Sequence, residues 1–115
     1  SSVAGINGTA NVAPYVTSKH AVIGMMKSAA LECAPMNIRV NTVNPSPVET
    51  RMMRSLEEGF APGDAETARE GMRANIPLGR YAEPEDIAKI MLFLDSDDSD
   101  FVTGSVYMAD GGSTA

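Results

Sequence analysis

The sequence predicts an α/β fold built on a parallel sheet, and three observations carry that prediction. β-branched segments alternate with segments of helical period. Gly- and Pro-rich punctuation separates them. The apolar share of 43% suits a packed protein rather than a disordered chain. Written out, the order is β–α–β–(αα)–α–β, which is the alternation that parallel sheets produce.

Each element has its own local reason. Ser1–Val3 reads as the end of a strand. Ala4–Val12 holds Gly5, Asn7, Gly8 and Asn11 and reads as a loop. Pro14 suits the first turn of a helix running to Ala34, which Pro35 ends. Val16, Val22, Ile23, Met25, Met26 and Leu31 spread over more than one face, so this helix is expected to be buried on two sides. Ile38–Val43 is β-branched and alternates apolar with polar residues, a strand that Asn44-Pro45-Ser46-Pro47 should stop. Residues 48–80 are polar and irregular, with short helices expected around Glu49–Glu58 and Ala65–Asn75. A segment of this kind beyond a strand's carboxyl end is where a lid over an active site would sit. Pro84-Glu85-Asp86 opens a further helix to about Leu94, with Ile87, Ile90, Met91 and Leu94 at helical spacing. Ser105–Ala109 is a last strand, closed by Asp110-Gly111-Gly112. A parallel sheet needs both faces covered, and these few elements hardly suffice for that.

Composition narrows the function classes. At 115 residues the chain is one domain or part of one. A net charge of −6 argues against a nucleic-acid or anionic-membrane binder. The charge is uneven: residues 1–46 carry +2 and residues 47–100 carry −7. Cys33 is the single cysteine, which excludes an internal disulfide and a multi-cysteine zinc site and suggests a cytoplasmic protein. No apolar run approaches the roughly 20 residues of a membrane span, and no basic-then-apolar leader is present. The acidic run Asp95–Asp100 lacks the Gly and Glu of a calcium loop, with Asp100 and Val106 in their places, so it reads as a solvated loop. No metal site is expected.

Tyr15 and Lys19 carry the sharpest chemical signal. Four residues apart on a helix, they lie one above the other. A nearby ammonium favours the phenolate and lowers a tyrosine pKa from about 10. Such a tyrosine gives a proton to a carbonyl oxygen, or takes one from an alcohol, near neutral pH. Ser2, thirteen residues before Tyr15, offers a hydroxyl to the same oxygen. Taken alone, the pair reads more readily as an exposed tyrosine packed on a lysine stem. His20 beside Lys19 raises a Ser–His alternative, but it points about 100° away around the helix and no Gly-x-Ser-x-Gly elbow is present. Cys33 reads as a small packed residue.

The context decides between these readings. Ser-Ser-Val-Ala-Gly, Tyr15-Val16-Thr17-Ser18-Lys19, Ile38-Arg39-Val40-Asn41-Thr42-Val43-Asn44-Pro45 and Asp110-Gly111-Gly112 occur in one order. From Ser1 to about Ser113 the chain resembles the short-chain dehydrogenase/reductase family. Within it the chain is most similar to the 3-oxoacyl-carrier-protein reductase and small alcohol dehydrogenase branches. The resemblance implies the C-terminal part of a doubly wound, Rossmann-like parallel sheet. Residues 1–115 would be the C-terminal half of one domain of about 250 residues, without the Gly-rich phosphate-binding half. It implies an NAD- or NADP-dependent oxidoreductase that interconverts a carbonyl and a secondary alcohol. Ser2 would polarise the substrate oxygen, Tyr15 would be the acid/base, and Lys19 would tune Tyr15 and bind the nicotinamide ribose. Pro45, Val48 and Thr50 would cradle the nicotinamide end, although for Val48 and Thr50 simple helix entry and capping is the plainer alternative. Ser46 stands where the family usually has Gly, which raises the question whether the loop there needs a positive φ. The resemblance also implies a small-molecule substrate and a homotetramer. The competing expectation is a truncated chain, non-catalytic or serving only in oligomerisation, that cannot bind a dinucleotide.

Overall fold

The computed structural model describes residues 1–115. Helix α1 spans Ala13–Cys33 and strand β1 Thr42–Pro45. Helices α2 (Arg51–Phe60), α3 (Ala65–Ala74) and α4 (Pro84–Asp95) follow, and strand β2 (Val106–Ala109) comes last. The two strands pair in parallel, Thr42 opposite Val106 and Pro45 opposite Ala109. The predicted α/β class holds and the helices follow in the expected order, but only two of the three expected strands form.

No strand forms at Ser1–Val3, where the sequence suggests the end of one. Ser2 is extended, but Val3–Gly5 turns as a 3₁₀ helix with the Ser2 side chain accepting from Ala4 N. The Ser1 nitrogen nevertheless donates to Val43 O at 3.0 Å. Alternate residues of β1 point their backbone groups to β2, as in Thr42 N to Ser105 O and Ser46 N to Ala109 O. Val43 O faces the other way, so Ser1–Ser2 lies along the opposite edge of β1.

The second strand is displaced, since Thr42–Pro45 replaces the expected Ile38–Val43. Ile38–Asn41 faces the turn at residues 102–105 rather than a strand. Gly104, with φ 71°, donates to Val40 O, and Thr103 Oγ1 accepts from Val40 N. Asn41 bridges Val102 O and Ser105 N with its side chain. Turn and side-chain partners satisfy this backbone where a ladder was expected. Pro45 completes the strand rather than stopping it, because a strand end tolerates the missing N–H.

Helix α1 starts with Pro14 in its first turn, as expected. After Cys33 a 3₁₀ turn containing Pro35 leads to Asn37 at φ 57°, and Ile38 N reaches back to Cys33 O. Only Ile23, Met26 and Ala30 are buried, a single stripe at helical spacing. Met25 and Leu31 remain 68% and 79% exposed, so the expected burial on two sides is not met within this chain. Apart from its own C-terminal turn, α1 packs chiefly on Val3–Gly5, which covers one face.

The polar stretch after β1 forms two helices as anticipated. Thr50 caps α2 by accepting from Met53 N. Met53, Ile76 and Tyr81 form a small core with Met72 beside it. Pro84 opens α4, and Asp86 accepts from Glu83 N at the same end. The acidic run Asp97–Ser99 is a 3₁₀ turn after α4. Arg39 ties that turn to the segment before β1, donating to Ser99 Oγ and to the carbonyls of Leu94, Ser96 and Val102. A guanidinium over the last carbonyls of a helix also complements its dipole.

Candidate active site

Tyr15 and Lys19 occupy successive turns at the start of α1. Pro14 seeds the helix there, and the four-residue spacing stacks the two side chains. The Lys19 ammonium lies over the Tyr15 ring, 5.3 Å from its centroid. It sits on the ring face and forms no ion pair with any carboxylate. Tyr15 is 46% exposed, and its hydroxyl has no partner in the chain.

The helix is fixed against the extended segment that carries Ser2. Ser1 Oγ donates to Lys19 O at 2.9 Å. Gly5 lies so close to α1 that a Cβ there would sit 2.6 Å from Ser1 Oγ, 2.7 Å from Ile23 Cδ1 and 3.1 Å from Lys19 O. The requirement at Gly5 is therefore space for close approach. Ser2 Oγ accepts from Ala4 N at 3.2 Å, which leaves the hydroxyl proton free to donate outward. The Ser2 carbonyl accepts twice, from Gly5 N at 2.9 Å and from Asn44 Nδ2 at 2.7 Å. Ser2 and Tyr15 do not hydrogen-bond each other. His20 Nδ1 bonds to Val16 O in its own helix, which separates it from Ser2.

The loop after β1 offers a different kind of group. Val48 pairs with Ala82 as an isolated parallel bridge, in which Glu49 N bonds to Ala82 O and Ala82 N to Pro47 O. Those bonds use the neighbours of Val48, so its own N–H and C=O enter no backbone bond. An amide ligand needs one such acceptor and one such donor side by side. Thr50 accepts from Met53 N and keeps its own proton to give. Pro45 ends β1 and lines an open groove of about 880 Å³ with Val22, Val43, Ile87 and Met91. Ser46 is buried and its φ is not positive, so the loop does not need the conformational freedom of Gly at this position. A second groove of about 620 Å³ runs from Ser46 past Leu78 and Arg80 to Gly112. Neither groove includes Tyr15 or Lys19.

Charged residues of the lid segment pair among themselves. Glu49 binds Arg54 at 2.7 Å and Arg69 through both carboxylate oxygens. Glu57 is 2% exposed, with Arg54 at 3.3 Å and Arg69 at 3.8 Å. Both guanidinium groups lie over the Tyr81 ring, at 5.8 and 4.8 Å. Burial, helped by the neighbouring Glu57, pushes the Tyr81 hydroxyl up to about 12. The hydrogen bond from Arg69 holds the Glu49 carboxyl below its usual range.

Three positions that matter here were not singled out by sequence reasoning: Ser1, Arg39 and Asn44. Asn44 did leave a trace. It shares the parity of Ile38, Val40 and Thr42, so continuing the alternation puts it on the apolar face. An asparagine there needs a specific partner.

Comparison with known proteins identifies the family. Residues 1–114 match the family described as Enoyl-(Acyl carrier protein) reductase. The chain is 47% identical over 112 residues to the 3-oxoacyl-(acyl-carrier-protein) reductase FabG of Thermotoga maritima, covering 97% of this chain and 42% of that protein. The crystal structure of a short chain dehydrogenase family protein from Francisella tularensis superposes with a TM-score of 0.93 at 38% identity, over 98% of this chain and 48% of that one. The structure of 4-hydroxyisoleucine dehydrogenase complexed with NADH superposes with a TM-score of 0.79 at 34% identity, over 99% and 44% of the two chains. The chain thus spans about two fifths of the length of the curated relatives it matches. It belongs to the short-chain dehydrogenase/reductase family, a family of Rossmann-fold oxidoreductases.

Proposed function

We propose that the protein carrying this chain is an NAD- or NADP-dependent oxidoreductase that interconverts a small carbonyl compound and its secondary alcohol. The observation that carries the reading is the Tyr15–Lys19 pair. An exposed phenol with no partner stands beside an ammonium with no counter-ion, on a helix pinned to the segment of Ser2. In the reductive direction Tyr15 gives its hydroxyl proton to the substrate oxygen. Ser2 gives a hydrogen bond to the same oxygen as charge develops there and keeps its own proton. Lys19 offsets the negative charge left on Tyr15.

The residues present fit a nicotinamide dinucleotide. Val48 leaves one donor and one acceptor free, as a carboxamide requires, and Thr50 keeps a hydroxyl proton beside them. Pro45 ends the strand from which this loop departs, and Tyr15 and Lys19 are free to meet ribose hydroxyls. When bound, the dinucleotide supplies or receives the hydride at the substrate carbon. The relative complexed with NADH supports this choice of cofactor class. Helices α2 and α3 would close over the substrate and exclude water. No helix is long and apolar enough to cross a membrane.

The test is Tyr15→Phe in the full-length protein, assayed with NADH and NADPH against a panel of carbonyl substrates. Turnover is expected to fall by about two to four orders of magnitude. Cofactor binding, followed by fluorescence titration, should be little changed. A fully active Phe variant would overturn the mechanism.

A further inference from the structure

We infer that Asn44 is a positioning residue for Ser2, an inference that rests on the function proposed above. Asn44 is wholly buried, at 0% exposure, in the middle of β1. Its Nδ2 donates to the Ser2 carbonyl at 2.7 Å across 42 residues of sequence. Its Oδ1 is buried with no hydrogen-bond partner. The amide orientation is set by this geometry, since the reverse would place two acceptors against each other. A residue selected for packing alone at this position would be apolar, because a buried acceptor without a partner is unfavourable. What the asparagine provides in return is the bond to Ser2.

That bond completes the fixing of the reactive segment. The Ser1 nitrogen bonds to Val43 O, and Ser1 Oγ bonds to Lys19 O. Ser2 Oγ accepts from Ala4 N, and the Ser2 carbonyl from Gly5 N. The last two are local and move with the 3₁₀ turn. Asn44 supplies the one direct hydrogen bond from Ser2 itself to β1. The strand also carries Pro45 and leads into the loop of Val48, so the amide holds the Ser2 hydroxyl in a constant relation to that loop. In a site of this type, small displacements of a donor cost rate more than binding.

A double-mutant cycle in the full-length protein tests this, using Ser2→Ala, Asn44→Ala and the pair, with Tyr15→Phe as a control on the underlying reading. Asn44→Ala is expected to lower kcat roughly tenfold or more with cofactor binding unchanged. In the Ser2→Ala background the same substitution should have little further effect, because the group it positions is gone. Asn44→Leu keeps the side-chain size, suits the buried position and removes the donor to Ser2, so it should reproduce the kcat loss even where the alanine variant does not fold. Equal losses from Asn44→Ala in both backgrounds would show a merely structural role and overturn the inference. So would wild-type kcat in the Leu variant. An active Tyr15→Phe or Ser2→Ala variant would instead overturn the proposed function itself.

Discussion

Lys19 meets no carboxylate, whereas Arg54 and Arg69 in the lid are engaged by Glu49 and Glu57 and stacked over Tyr81. The two tyrosines differ in the same way. Tyr15 is 46% exposed with an unengaged hydroxyl, while Tyr81 is 2% exposed, with its hydroxyl 3.5 Å from Met72 Sδ. One region leaves its charges and hydroxyls open toward solvent, where a ligand can take them up. The other pairs Glu49 and Glu57 with Arg54 and Arg69 and thereby joins the loop of Val48 to α2 and α3. A cation and a phenol are common to both regions, so residue type alone does not separate chemistry from architecture. Partner occupancy does.

The contrast is broken most directly by removing Lys19. Lys19→Met should lower kcat by about a hundredfold or more while leaving the melting temperature nearly unchanged, since the ammonium supports no ion pair. Kinetics alongside a thermal melt measure both. Next in size is Gly5→Ala. The added Cβ meets the Lys19 carbonyl, a backbone atom that moves only with α1, so a destabilisation of about 1–3 kcal/mol is expected, with activity falling alongside. Gly8→Ala, where a Cβ meets nothing, is the matched control in denaturant titration.

A lid substitution should show the opposite signature to Lys19→Met. Glu57→Gln weakens two ion pairs to partly exposed arginines, so the loss is expected near 1 kcal/mol rather than the full cost of a buried charge. Faster proteolysis between residues 50 and 75, with kcat little altered, would sharpen the division between the regions. A fall in kcat without loss of stability would erase it.

The smallest effect concerns Asp110. Burial raises its pKa, but hydrogen bonds from the Thr114 hydroxyl and from the Gly112 and Thr114 amides outweigh this and hold it below 3.8. A depressed folded pKa contributes stability that is present above the unfolded value and lost as pH falls through the folded one. Asp110→Asn should therefore flatten the decline in melting temperature below about pH 4 and lower stability modestly at neutral pH.

Legibility in the sequence followed the range of the interactions. Pro14, Pro84 and the helical spacing of Ile87, Ile90 and Met91 marked two helices correctly because capping and period act within a few residues. The Tyr15–Lys19 pair was legible for the same reason, being a single turn of helix. The strand near residue 40 was misplaced because the β-branched run from Ile38 meets a turn instead of a strand. Thr50 was read both as a cofactor contact and as a helix cap. The cap is now visible, and it leaves the hydroxyl proton free for the other role.

By itself the sequence determined the α/β class, the order of the helices, and a phenol and an ammonium on one helical face. Each follows from local period and backbone preference. Only the tertiary structure decided the parallel register of β1 and β2, the displacement of β1 to Thr42–Pro45 and the single buried face of α1. It also decided that Asn44 reaches Ser2, that Arg39 holds the end of α4 and that Glu49 takes up two arginines. The physical reason is separation along the chain. Asn44 and Ser2 lie 42 residues apart, and Arg39 and Leu94 lie 55 apart. No local pattern encodes such contacts, since they exist only once the strands have paired and set their distance.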